Sequence, residues 1–235
     1  MVLINYLGRL GNNMLQYAAA KIFSNKFKIK LLTPPISGGI DFIELIKPND
    51  DTEFEVYDGE TIIVNNQNIL ELLSKEKCNP AIYIFNDFFQ IKDFIINYTE
   101  DIKNLFYTPD KSIDEVFVHY RIGDIEHLKN MLPLDYYVEA LEKIGVYGGV
   151  ISSDSPNHEN VKILSKKFKL EILITLPLDT IILGSKYNNL VLSEGTFSWW
   201  IGVLSNAKNI IYNDRERFWH GDIFCYDNWV KLNYK

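Results

Sequence analysis

Three short segments of this 235-residue chain bring charged, hydroxylated and glycine residues together in patterns suited to holding a phosphate-bearing ligand. The first is HYRIGD, His119 to Asp124, which follows the apolar run Val116, Phe117, Val118 at the mouth of a predicted buried strand. A guanidinium is a permanently charged planar fork that matches paired oxygens, so Arg121 with His119 beside it reads as a diphosphate grip. An ion pair from Arg121 to Asp124 that ties down a loop accounts for the same residues.

The second segment, Ser193 to Ser205, passes from a predicted strand through a small-residue turn into an amphipathic helix. Thr196 and Ser198 sit where that helix begins. Free backbone amides and the helix dipole make such a terminus an anion site, and two hydroxyls add donors. Simple N-capping by Thr196 is the alternative. Trp199 and Trp200 read as core packing rather than a sugar platform.

The third segment, GRLGNNMLQYA, places Gly8, Gly11 and Asn12 on the loop after the first strand. Glycine allows a tight turn there, and Asn12 can point an amide at a ligand. The spacing G-x-x-G lacks the third glycine of the dinucleotide fingerprint, and no acidic residue closes the second strand at Leu31 to Thr33. A nicotinamide dehydrogenase therefore fits poorly.

These segments need a frame. An opening strand within Met1 to Leu7, a helical pattern through Met14, Leu15, Ala18, Ile22 and Phe23, and a strand at Ile29 to Leu32 predict a βαβ start. Pro34, Pro35, Gly38 and Gly39 mark a loop. Strands are expected at Phe54 to Tyr57, Thr61 to Val64 and Ala81 to Phe85, with a helix at Asn68 to Lys75. From Val116 the rhythm is regular, with strands at Val116 to Tyr120, Gly149 to Ser152, Leu170 to Ile174, Asn189 to Ser193 and Asn209 to Tyr212, and helices between them. That alternation predicts a parallel sheet covered on both faces, whose ligands bind beyond the carboxyl ends of the strands. Thr108 to Ser112 reads as a linker between residues 1–108 and 109–235, two Rossmann-like halves.

A formal charge of −7 and a pI near 5.2 argue against a nucleic-acid partner held mainly through phosphates. Cys78 and Cys225 are the only cysteines, too few for a disulfide framework, and with four histidines they show no metal-ligand spacing. A reducing, cytoplasmic setting is expected. No apolar run reaches the length of a transmembrane span, and the opening residues read as a strand rather than a signal peptide.

Taken together, GRLGNNMLQYA, FNDFFQ (Phe85 to Gln90), HYRIGD, MLPLDYY (Met131 to Tyr137), SSD (Ser152 to Asp154) and TFSWW resemble, in order, the motifs of alpha-1,2-fucosyltransferases. They span nearly the whole chain. The resemblance implies an α/β fold of the GT-B type, with two Rossmann-like domains whose parallel sheets face a cleft. It also implies a GDP-fucose donor, a glycan acceptor, no metal or other cofactor, and inversion at the anomeric carbon. Carried over, Arg121 holds the donor diphosphate and His119 lies against the nucleotide. Thr196, Phe197 and Ser198 line the phosphates and ribose, and Asp154 shapes the same pocket. Asp179 falls where related enzymes keep a guanine-reading carboxylate, although capping of a helix starting near Thr180 explains it equally. The loop of Gly8 and Gly11 faces the donor from the other domain, with Asn12 near the reacting centre. Asp124 is a candidate base by motif membership.

Two positions depart from the pattern. The second arginine of the motif is replaced by Ile122, and the asparagine and serine that commonly precede TFSWW are replaced by Glu194 and Gly195. These changes keep two competitors in view: a transferase using another deoxyhexose nucleotide, and a nucleotide-binding module without transfer activity.

Overall fold

The computed structural model describes residues 1–32, 42–48, 51, 53–110, 112–126, 131–213 and 223–232. The chain divides into two compact units, one formed by Met1–Tyr107 and one that starts at Thr108.

The first unit runs β1 (Val2–Ile4), α1 (Leu10–Phe27), β2 (Leu31–Leu32), a 3-10 turn (Ile43–Leu45), β3 (Thr61–Val64), α2 (Ile69–Ser74), β4 (Ile82–Phe85) and α3 (Lys92–Asn104). Its four strands are all parallel, in the order β2-β1-β4-β3. Met14, Leu15, Ala18, Ile22 and Phe23 of α1 are all buried. Phe23 packs on Tyr83 and Phe85, and Phe85 on Phe89, so aromatic faces fill the space between helix and sheet. The helix stops where Lys28 turns into the left-handed region and returns its N–H to the Ser24 carbonyl.

The strand expected at Phe54–Tyr57 is absent; Glu55 makes a single parallel bridge to Ile29. Glu53, Glu55 and Val56 are exposed, so the alternating pattern has no core face to bury and little to hold it in a ladder. Helix α3 was not anticipated. Only Phe94, Ile95 and Ile102 are buried along it, and non-helical backbone at Tyr98 interrupts the period. The loop expected at Pro34 to Gly39 lies outside the described residues.

The second unit runs β5 (Ile113–Tyr120), α4 (Gly123–Glu126), α5 (Leu134–Ile144), β6 (Gly149–Ser153), α6 (Glu159–Phe168), β7 (Leu170–Leu173), α7 (Pro177–Gly184), β8 (Tyr187–Val191), α8 (Thr196–Val203), β9 (Asn209–Asn213) and β10 (Val230–Leu232). All five strands expected here are present, each within a few residues; β10 is additional. The sheet is parallel, in the order β10-β9-β8-β5-β6-β7. Numbered from its own first strand this is the doubly wound Rossmann order, and its direction reverses between β5 and β8. Loops leaving those two strands part to opposite faces, which opens a crevice above their carboxyl ends.

Among the described residues no helix is long and apolar enough to cross a membrane.

Candidate functional site

The crevice between the ends of β5 and β8 is where HYRIGD and SEGTFSWW arrive. His119 and Tyr120 finish β5, and Arg121 is the first residue past it. Val191 finishes β8, and Ser193, Glu194 and Gly195 lead into α8. The Arg121 backbone N–H donates to Ser193 Oγ at 3.3 Å, which ties the two loops together.

Arg121 has its fork divided. Nε donates to Asp124 Oδ1 at 3.0 Å and Nη2 to Asp124 Oδ2 at 2.7 Å, a bidentate pair. The ion pair foreseen as an alternative is therefore present, but it engages only one edge of the guanidinium. Nη1 points elsewhere: a Cβ built on Gly195 would lie 2.9 Å from it. Gly195 has φ +92° and is the N-cap of α8. A side chain there would be strained and would also press on the cation, so glycine is what lets the guanidinium sit against the helix start. Thr196 is thus the first helical residue rather than the cap, a correction to the capping alternative.

Asp154, just past β6, accepts the N–H groups of Ile122 and Gly123 at 2.8 and 3.1 Å through Oδ1. It fixes the turn that carries Arg121 and starts α4. Ile122 is fully buried in the core of this unit, so the position that holds a second arginine in the resembling family has no room here for a charge.

His119 is 7 % exposed, and its Nδ1 lies 2.5 Å from Ser198 Oγ. Its ring lies 4.9 Å from the Phe197 ring, tilted by 32°. Burial holds the imidazole down at about 4, helped by Arg121 and opposed by Asp154, so the ring is neutral near neutral pH. Ser198 is 0 % exposed. The expectation that its hydroxyl is an open phosphate donor gives way to a different role: it ties α8 to the end of β5. The helix start contributes the positive end of its dipole rather than this hydroxyl. Trp199 and Trp200 are fully buried and packed edge to face, as core residues.

Asp179 is exposed in the first turn of α7, where Thr175 Oγ1 donates to its Oδ2 at 3.4 Å. The helix begins at Pro177 with Leu176 as its cap, so the capping role considered for Asp179 does not apply.

In the first unit, Gly8 has φ +77°, and a Cβ on it would run into Asn12 Nδ2. Glycine is required by that approach. Gly11 is buried in the first turn of α1. Asn12 Oδ1 accepts from Gln90 Nε2 at 3.0 Å, which joins the GRLGNN and FNDFFQ segments. Two residues that the sequence reading passed over hold the loop in shape. Asn13 Nδ2 donates to the Leu7 carbonyl at 3.1 Å, and Gln16 both accepts from Leu7 N–H at 3.0 Å and donates to its carbonyl at 3.2 Å. Their signal was a pair of amides, two and five residues beyond Gly11, on a helix face otherwise apolar.

Among the described residues no group of three or more His, Cys, Asp or Glu side chains is gathered where it could hold a metal ion.

No protein-family model matches the chain, and no curated protein matches it in sequence. Among solved structures it is similar to a mutant of Arabidopsis thaliana FUT1 in complex with GDP, at TM-score 0.53 and 13 % identity over 88 % of this chain and 68 % of that one. POFUT1 in complex with GDP is similar over 88 % of this chain and 94 % of that one, at TM-score 0.47 and 12 % identity. The likeness is one of fold: an α/β, fucosyltransferase-like architecture of the GT-B type with Rossmann-like parallel sheets.

Proposed function

We propose that this chain is a glycosyltransferase that moves fucose from GDP-fucose to a sugar hydroxyl, with inversion and without a metal ion, and that the linkage made is alpha-1,2. The observation that carries the reading is the approach of the Arg121 guanidinium to the start of α8, at the reversal point of a Rossmann-ordered sheet. A permanent cation beside the first turn of a helix suits a diphosphate. The FUT1 structure that shares this fold is a complex with GDP, which supports GDP as the nucleotide. The donor site lies in the second unit and the acceptor belongs to the first, in a reducing cytoplasmic setting.

In the reaction the bond from the anomeric carbon to the diphosphate oxygen breaks, and the acceptor oxygen bonds to that carbon from the opposite face. The acceptor proton goes to a base and GDP departs. As the sugar gains oxocarbenium character, negative charge builds on the leaving oxygen. Arg121 Nη1 and the amides of Thr196, Phe197 and Ser198 stabilise that charge because they are already oriented when it appears. Asp124 orients Arg121, and we assign it to that task rather than to the base. Asp154 holds the turn on which both stand. Asp179, exposed in the first turn of α7, is the carboxylate we assign to the two donors of guanine's Watson–Crick edge.

Calorimetric titration with GDP, UDP and NAD, followed by assay of GDP-fucose with neutral glycans, tests the reading. Binding of GDP alone and release of GDP on transfer are expected. Preference for NAD, or GDP binding with neither hydrolysis nor transfer, would replace it with a dehydrogenase or a binding module.

A further inference from the structure

The first unit has a sheet of its own. Its strands run parallel in the order β2-β1-β4-β3, and parallel sheets present their ligand sites beyond the carboxyl ends of the strands. The register aligns Ile4 with Phe85 and Val64 with Phe85, so the next residues, Asn5, Asn86 and Asn65, form one row across three strand ends. The ladder continues into that row: Asn5 N–H donates to the Phe85 carbonyl and Asn86 N–H to the Val64 carbonyl, each at 2.9 Å. Adjacent members are spaced by about 4.8 Å, the separation of neighbouring strands.

Some of these polar groups have folding tasks. Asn65 Oδ1 accepts from Gln67 N–H, Asn66 Oδ1 from Phe89 N–H, and the two oxygens of Asp87 from Asn66 and Phe88 N–H. Others do not. Asn5 and Asn86 are both exposed, and their side chains bond to each other at 2.6 Å, which neither a turn nor a cap requires. That bond leaves the Asn86 amide hydrogens, one Asn5 amide hydrogen and the Asn5 carbonyl oxygen turned toward solvent or ligand, and Asn66 Nδ2 adds further donors. Phe88 is half-buried beside the row, packed over Gly8.

A second observation concerns Gln90, four residues beyond Asn86. Gln90 is 7 % exposed, donates through Nε2 to Asn12, and has a buried Oε1 with no hydrogen-bond partner among the described residues. The preceding residue, Phe89, is held at φ +56°, unusual for a bulky side chain. A folded core rarely leaves a buried oxygen unpaired and a backbone strained at one point without use for them.

We propose that this amide row binds the hydroxyl groups of a neutral carbohydrate, and that this carbohydrate is the acceptor. A sugar hydroxyl donates and accepts at once, and the row offers both capacities side by side with an aromatic edge next to them. The residues of the row, Asn5, Asn65, Asn66, Asn86 and Asp87, include one carboxylate and no cation, so the row itself offers a phosphate no positive charge. The word acceptor rests on the transferase reading; the carbohydrate site does not.

The test uses the full chain and saturation-transfer NMR with lactose, cellobiose and maltose as probes, on the wild type and on the Asn5→Ala, Asn86→Ala double variant. GDP affinity is measured in parallel. At least one disaccharide is expected to bind the wild type, and to bind the double variant about tenfold more weakly, with GDP affinity the same in both. Equal disaccharide binding by both proteins, no disaccharide binding at millimolar concentration, or binding of peptides alone would overturn the proposal. Asn86→Asp, which keeps the side chain's shape, separates loss of the site from misfolding: it too must weaken the sugar. Sugar binding without GDP binding would sink the transferase reading and leave the carbohydrate site standing.

Discussion

Arg121 gives Asp124 its Nε and Nη2 and keeps Nη1 for the start of α8, beside Gly195. The pair is partly exposed, with side-chain accessibilities of 25 % and 40 %, so its worth to folding is at most about 1 kcal/mol. Its effect is geometric. A fork clamped on one side presents the other in a fixed direction, which spares the donor the cost of ordering a long side chain.

If Asp124 positions Arg121, Asp124→Asn weakens donor binding while the pH dependence of kcat keeps its shape. We expect a loss of about tenfold in kcat/KM, carried mainly by the donor KM, and a melting temperature within a few degrees of wild type. Steady-state kinetics across pH check this. Collapse of kcat with loss of the acidic limb of the profile would return Asp124 to the role of base.

Gly195→Ala places a methyl group against Arg121 Nη1 at a backbone angle that favours glycine. The cost to stability is expected at about 1–3 kcal/mol. GDP affinity should fall further than that of a control glycine substitution at Gly59, which has nothing within 4 Å of its added carbon but shares a positive φ. Chemical denaturation and GDP titration of both variants read the difference.

The parallel sheets were legible because buried parallel strands such as Phe117–Val118 and Leu190–Val191 read as short apolar runs between helical stretches. The carboxyl ends of β5 and β8 followed from that pattern. The division of labour inside the site did not. Nothing in the spacing of HYRIGD tells whether Asp124 takes one edge of Arg121 or all of it, and only the placement of α8 shows Ser198 turned inward to His119. The strand expected at Phe54–Tyr57 failed because local pattern cannot report whether a partner face exists. Helix α3 was hidden because its three buried residues sit on either side of the irregular Tyr98.

His119 couples stability to pH. Its folded value of about 4 lies below its ordinary 6.5, so the folded state binds the proton less readily than the unfolded state. The contribution is fully present above about pH 6.5 and is lost as pH falls toward about 4, to a total of about 3 kcal/mol. His119→Gln removes the titration while leaving a partner for Ser198. Urea unfolding between pH 7 and 4 should show a smaller decline in the variant; parallel curves would contradict the buried neutral ring.

Ile122→Arg restores the residue type of the resembling family. Because Ile122 is 0 % exposed, the added charge has no solvent and no partner, and the variant is expected to lose about 3 kcal/mol or more rather than gain donor affinity. Thermal melts with and without GDP check both halves of that statement.

The most direct test of the donor site is GDP binding by Arg121→Ala, followed by calorimetry and by far-UV circular dichroism. The account predicts an unchanged spectrum, GDP affinity lower by about 10- to 100-fold, and transfer lower by about 100- to 1,000-fold. A folded Arg121→Ala protein that binds GDP as tightly as the wild type would contradict it.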